Sequence, residues 1–125
     1  MLGNTFDFNL GGPGGTPKSL VLVNQDGYSA EYRRNEADGT VIRALIKHSN
    51  DTVKDGQNPR ERHSITLIRT DPPSAEAPNG FQCSATLTLV KDVISGQEVE
   101  LLAYGLTEYA GVAEDHLASI TGWES

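Results

Sequence analysis

The segment NPRERHSITLIRT, residues 58–70, gathers Arg60, Arg62, His63 and Arg69 in a chain whose formal net charge is -7. A guanidinium carries a fixed positive charge and several N–H donors, so a local cluster of them suits an anionic partner even where the whole chain is acidic. The charge is unevenly divided. Residues 1–32 carry -2, residues 33–69 carry +3 from eight Lys or Arg against five acids, and residues 70–125 carry -8. A basic middle thus lies between acidic ends, and local sign selects what a surface attracts.

Other residues of reactive type do not combine into a reaction centre. RERH (60–63), and His48 with Asp51, hold groups able to move protons, but no nucleophile or second converging carboxylate accompanies them. GGPGG (11–15) lacks the Gly-Lys-Ser/Thr ending of a phosphate-cradling loop, and no helical pattern follows it. His48 and His116 are too far apart in the pattern to pair on a metal and read as solvated side chains. His63 shares a strand face with Ile65 and Leu67 and reads as a core or interface histidine. Cys83 is the only cysteine, which rules out an intrachain disulfide, a zinc cluster or a redox pair, and it reads as small apolar filler on a strand. No enzyme activity, cofactor or metal is expected.

These residues need a scaffold, and 125 residues suffice for one modest core. No apolar run approaches the roughly 18 residues of a membrane span, and MLGNTFDFNLGG lacks the basic-then-apolar order of a secretion signal. A cytosolic chain with no membrane partner is expected. Four dipeptides, Asp26-Gly27, Asp38-Gly39, Asp55-Gly56 and Asn79-Gly80, mark reversals that accept positive φ. Between them lie strand-like runs at 19–24, 28–34, 40–48, 62–70 and 81–91, and NTFDFNL (4–10) alternates upstream. Short links between successive strands imply an antiparallel meander.

Side chains alternate across a strand, so each run sorts into faces. Ala85, Leu87 and Leu89 oppose Ser84, Thr86 and Thr88. Ile65 and Leu67 oppose Arg62, Ser64 and Thr66. Ile42, Ala44 and Ile46 oppose Arg43 and Lys47, although Val41 and Leu45 fall on the basic side. Ala30 and Tyr32 oppose Ser29, Glu31 and Arg33. One face suits a core and the other water or a polar partner.

After Lys91 the period changes. Ser95 and Glu98 fit a capping box, and Val99, Leu102, Leu106 and Tyr109 recur at helical steps. A second helix is expected from about Ala113 to Thr121, with Leu117 and Ile120 apolar and Gly122 as its stop. The fold class is α+β. Two short helices cover only part of such a sheet, leaving Tyr32, Ile46 and Leu89 partly wet in a monomer. At roughly 25 cal/mol per Å² of apolar surface that forfeits several kcal/mol, which predicts an obligate homodimer with Val99, Leu102, Leu106, Tyr109, Leu117 and Ile120 at its interface.

The succession of a first strand, a Gly-rich link, YSAEYR, IKHS, RERHSITLIRT and the ending LASITGWES resembles the coat proteins of single-stranded RNA bacteriophages, the levivirus type. The resemblance spans the whole chain. It implies an N-terminal hairpin (1–24), a five-stranded antiparallel sheet (28–91) and C-terminal helices (95–122) that lie across the partner's sheet. It also implies an intertwined dimer with a ten-stranded sheet, assembly into an icosahedral shell in the host bacterial cytoplasm, and an inner sheet face that binds the single-stranded genomic RNA. There an RNA hairpin would nucleate packaging and repress replicase translation. The loop DPPSAEAPNG (71–80), with Pro72, Pro73, Pro78, Asn79 and Gly80, would hold contacts between dimers.

An RNA-facing surface must neutralise phosphate, which Arg33, Arg43, Lys47 and Arg62 would do, while Ser64, Thr66, Thr86 and Thr88 offer hydroxyls to bases or phosphates. The acids of the helical segment would then lie on the outside. Two other classes remain open: a small α+β enzyme or ligand-binding domain, with a cavity walled by Tyr28, Tyr32, His63 and Tyr104 between sheet and helices, and a regulator that binds RNA on the same sheet without forming shells.

Overall fold

Alternating apolar and polar residues produce six strands in the computed structural model, which describes residues 3–11, 14–51, 54–94, 96–112 and 114–121. They are β1 (Thr5–Leu10), β2 (Thr16–Gln25), β3 (Ser29–Asn35), β4 (Val41–Asp51), β5 (Arg60–Asp71) and β6 (Phe81–Asp92), followed by α1 (Glu98–Val112) and α2 (Glu114–Thr121). Each strand pairs antiparallel with its sequence neighbour, giving one six-stranded meander. The α+β class and the strand-then-helix order hold. β1 and β2 pair as an antiparallel hairpin, and β2 also pairs with β3, so the hairpin is continuous with the sheet and the strand count is six where five were expected. Its register shifts between Leu22 and Asn24, a bulge of the kind that bends and twists a strand.

The reversals use two devices. Gly39, Gly56 and Gly80 take positive φ. At Gly80, with φ 71°, an added side chain would also meet the carbonyl oxygen of Asp71, so only glycine fits without strain. The Asp26-Gly27 turn rests on its aspartate instead: Asp26 Oδ1 accepts the N–H groups of Tyr28 and Ser29 at 2.7 and 2.8 Å. Those bonds, led by that from Tyr28, hold the Asp26 carboxyl below the usual carboxylate range.

Residues paired across antiparallel strands share a face, so register separates the two sides. Leu20, Ala30, Tyr32, Ile42, Ala44 and Ile46 are buried on one side, with Phe6, Phe8, Leu22, Ile65 and Leu67 packed against them. Phe6 on β1 reaches across β2 to Tyr32 on β3, with ring centroids 5.8 Å apart. The Tyr32 hydroxyl donates to the Gly3 carbonyl at 2.8 Å. Tyr32 and Ile46 are therefore only 1% and 6% exposed within a single chain. This corrects the expectation that both stay partly wet in a monomer: Phe6 packs on Tyr32, and Ile46 sits between its cross-strand partners Ala30 and Ile65. Leu89, nearer the open edge, is only half-buried.

Among the described residues, no helical side chain belongs to the buried core. α1 lies against β6 and α2. The rings of Tyr109 and His116 stack with centroids 4.0 Å apart, and His116 Nδ1–H donates to the Tyr109 carbonyl at 2.7 Å. α1 opens with the Leu101 N–H bonded to the Gln97 carbonyl at 3.1 Å. Ser95 of the expected capping box lies outside the described residues, as do Ala113, Gly122 and the Trp123-Glu124-Ser125 end. No helix among the described residues is long and apolar enough to cross a membrane.

Candidate nucleic-acid interface

The face opposite the core collects all eight side chains expected to meet RNA. Arg33 stands directly opposite Arg43, and Lys47 opposite Ser64. Ser64 in turn pairs with Thr88, and Thr66 with Thr86. Arg62 stands opposite Ser49 on β4 and Val90 on β6, in the same set. The hydroxyls of Thr66 and Thr86 are 3.2 Å apart. Val41, Leu45 and Ile68 lie among these polar groups, each half-buried, so the face is a mosaic of hydroxyls, cations and apolar side chains.

Strand alternation divides the basic run that opens this segment. Arg60 and Arg62 fall on the polar face, whereas His63 and Arg69 pair with His48 and Ile42 on the core side. There Arg69 donates Nε and Nη2 to the two carboxylate oxygens of Asp71 at 2.7 and 3.1 Å. The run is not one patch.

Two of the four expected cations are held by carboxylates. Arg43 Nε donates to Glu31 Oε2 at 3.2 Å. Arg62 Nε and Nη2 donate to Asp51 Oδ1 and Oδ2 at 3.0 and 3.2 Å, a forked pair. The hydrogen bond from Arg62 holds the Asp51 carboxyl below its usual range, and the same bond raises the Arg62 guanidinium. Arg33 and Lys47 are exposed and form no ion pair among the described residues. They are the uncompensated positive charges of the eight. A guanidinium has five N–H donors, so Arg62 retains others for a phosphate while its fork is occupied. Glu31 and Asp51 were missed as modulators of this face. Alternation already placed Glu31 there, whereas Asp51 lies beyond the expected run 40–48 on a strand that continues to it; the pairing with Arg43 and Arg62 depends on register, which alternation does not supply.

Val99 is half-buried, while Leu102, Leu106, Tyr109, Leu117 and Ile120 are exposed, Leu102 by 75%. Pro72, Pro73, Pro78, Asn79 and Gly80 lie in the β5–β6 connection, where Ala77 O accepts the N–H groups of Ser74 and Gly80 at 2.9 and 2.8 Å. The cavity expected for an enzyme does not form from its four named residues. The groove that holds His63 is an open space of 530 Å³ lined by β2, the Asp26 turn, β3, β4, β5 and β6, without Tyr28, Tyr32 or Tyr104. His48, expected to be merely solvated, faces His63 there with Nδ1 atoms 2.8 Å apart.

The model of the family described as phage phiCb5 coat protein matches residues 3–92. Among solved structures, the bacteriophage EMS014 coat protein is similar with a TM-score of 0.62 at 18% identity, covering 87% of this chain and 73% of that one. A bacteriophage structure described as an unassembled virus coat protein dimer and RNA-binding dimer is similar with a TM-score of 0.63 at 17% identity, covering 98% of this chain and 95% of that one. No curated protein sequence is significantly similar to the chain. At these identities the solved structures speak for the fold, whereas the family match spans all six strands. The chain therefore belongs to the phage phiCb5 coat protein family, and it is a structural protein of the bacteriophage capsid rather than an enzyme.

Proposed function

We propose that the chain forms an obligate homodimer, that dimers assemble into an icosahedral shell in the bacterial host's cytoplasm, and that the polar sheet face lines the shell and binds single-stranded genomic RNA. The observation that carries this reading is the registration of Arg33, Arg43, Lys47 and Arg62 with Ser64, Thr66, Thr86 and Thr88 on the one face that the core does not use. Phosphates draw the cations, and the hydroxyls offer hydrogen bonds to the unpaired bases of an RNA hairpin. An operator hairpin bound there would nucleate packaging and shut off replicase translation. Of the solved structures similar in fold, one is itself described as an RNA-binding dimer.

Dimerisation is supported by two exposed features. Among the described residues β6 has a strand neighbour only on its β5 side, and a long edge strand of this kind invites pairing with another chain. Leu102, Leu106, Tyr109, Leu117 and Ile120 are apolar, helical and exposed. Two copies joined at β6 would each lay helices 95–122 over the other's open core face near Leu87 and Leu89. Each subunit would bring six strands to the joint sheet, one more than the five behind the ten-stranded expectation. The β5–β6 loop with Pro72, Pro73, Pro78, Asn79 and Gly80 would contact neighbouring dimers.

The test is expression in bacteria, followed by electron microscopy and measurement of nuclease-protected RNA. Wild-type chain is expected to yield hollow particles that contain RNA, and small soluble species alone would overturn the shell. Replacing Arg33 and Lys47 by Glu should lower RNA content more than replacing Arg43 and Arg62, because the latter are already partly neutralised. Unchanged packaging in both variants would move the RNA to another surface.

A further inference from the structure

We propose that His48 and His63 form a two-imidazole binding site for a divalent transition metal, Cu²⁺ first and Ni²⁺ second, on the side of the sheet opposite the RNA face. Both ligands come from one chain, so the site needs no second subunit, but Leu89 is the cross-strand partner of His63, and in the proposed dimer the partner's helices would border the same groove.

The two histidines are direct cross-strand partners on β4 and β5. Their rings meet edge to face with centroids 5.0 Å apart, and their Nδ1 atoms are separated by 2.8 Å. Two nitrogens each about 2.0 Å from a metal and at right angles to each other stand roughly 2.8 Å apart, whereas a tetrahedral angle would need about 3.3 Å. The spacing thus matches two adjacent positions of a tetragonal centre, the geometry that favours Cu²⁺ and Ni²⁺. Cu²⁺ also stands highest in the affinity order of divalent first-row metals.

The surroundings select a usable tautomer. Glu61 Oε1 lies 3.6 Å from His63 Nε2, and Lys91 Nζ lies 3.8 Å from the same oxygen and holds the carboxylate there. A carboxylate beside Nε2 favours the proton on that nitrogen and leaves the Nδ1 lone pair available, as outer-shell partners of metal-bound histidines do. In the metal-free pair His48 then donates its Nδ1–H to His63. Metal binding requires that proton to pass through solvent to His48 Nε2, and the two lone pairs turn from each other to the ion. The open groove before them leaves room for water. No group of three or more His, Cys, Asp or Glu side chains suited to a metal occurs among the described residues, so water would complete the coordination.

The full-length chain is titrated with CuCl₂ and followed by calorimetry and electron paramagnetic resonance. One Cu²⁺ per chain is expected, with hyperfine splitting from two equatorial nitrogens. His48→Gln and His63→Gln should each weaken binding at least tenfold, and His116→Gln should leave it unchanged. Binding that survives both of the first two substitutions, or splitting from a single nitrogen, would overturn the site. If either variant fails to fold, wild-type NMR decides: substoichiometric Cu²⁺ must broaden the ring signals of His48 and His63 first. Broadening confined to His116 or the chain start would sink the proposal.

Discussion

The two faces of this sheet are built from the same strands by the same alternation, yet they are stabilised in opposite ways. On the core face, apolar side chains from β1, β2, β3 and β4 interlock so closely that Tyr32 retains 1% exposure. On the other face, ion pairs such as Arg43–Glu31 and Arg62–Asp51 lie at the solvent boundary, where each contributes little to stability. The core face should therefore be sensitive to the loss of a few atoms. The polar face should tolerate substitution in the folded state and respond instead in what it binds.

Tyr32 offers the largest way to break that contrast. Its ring packs on Phe6 and its hydroxyl is bonded to Gly3. Tyr32→Ala is expected to lower the free energy of unfolding by roughly 3–5 kcal/mol, as for other buried aromatic truncations. Tyr32→Phe removes only the hydrogen bond and should cost about 1 kcal/mol. Thr66→Ala on the polar face should stay within about 0.5 kcal/mol of the parent. Urea denaturation of the three variants measures the ranking, and an equal loss for Tyr32→Ala and Thr66→Ala would abolish the distinction between the faces.

The core face is itself divided, since Phe6 and Phe8 pack against its β1–β4 half while Leu87 and Leu89 toward β6 remain half-buried. A second copy of the helices is the cover proposed for that half, and Leu102→Asp tests it. Within one chain Leu102 is 75% exposed, so the substitution should change the unfolding free energy of the dissociated chain by no more than about 0.5 kcal/mol. In a dimer it would bury an unpaired charge, which is strongly unfavourable. Sedimentation velocity should show the variant as a monomer. A variant that still dimerises would show that α1 does not face the partner.

How much was legible in advance follows from which interactions are local. Strand alternation depends only on the period of two, so it sorted Arg33, Arg43, Lys47 and Arg62 away from Ile42, Ala44 and Ile46 without knowledge of register. Helical spacing likewise placed Leu102, Leu106 and Tyr109 together on an exposed helix. Pairing across strands is different, because it depends on how the connections at 36–40 and 52–59 set one strand against the next. Glu31 with Arg43, Asp51 with Arg62, and His48 with His63 were all hidden for that reason. The burial of Tyr32 was hidden too: NTFDFNL showed an alternating strand, but not that its phenylalanines would reach across β2.

Asp51→Asn sharpens the contrast from the polar side with the smallest effect on folding. The folded-state pKa of Asp51 is depressed, first by the hydrogen bond from Arg62. Its contribution to stability is therefore fully present above the ordinary aspartate pKa of about 4 and is lost as pH falls through the lower value of the folded chain. Asparagine removes that titration, so the acid limb of the stability profile should flatten in this window while stability at neutral pH changes little. Binding should respond in the opposite sense. With its carboxylate partner gone, Arg62 joins Arg33 and Lys47 as an uncompensated cation, and RNA affinity at neutral pH should rise. Its dependence on salt should steepen by about 0.7 in the logarithmic slope if one further phosphate of a single strand is engaged. An unchanged slope would mean that Arg62 serves the fold of the β4–β5 pair and does not meet the nucleic acid.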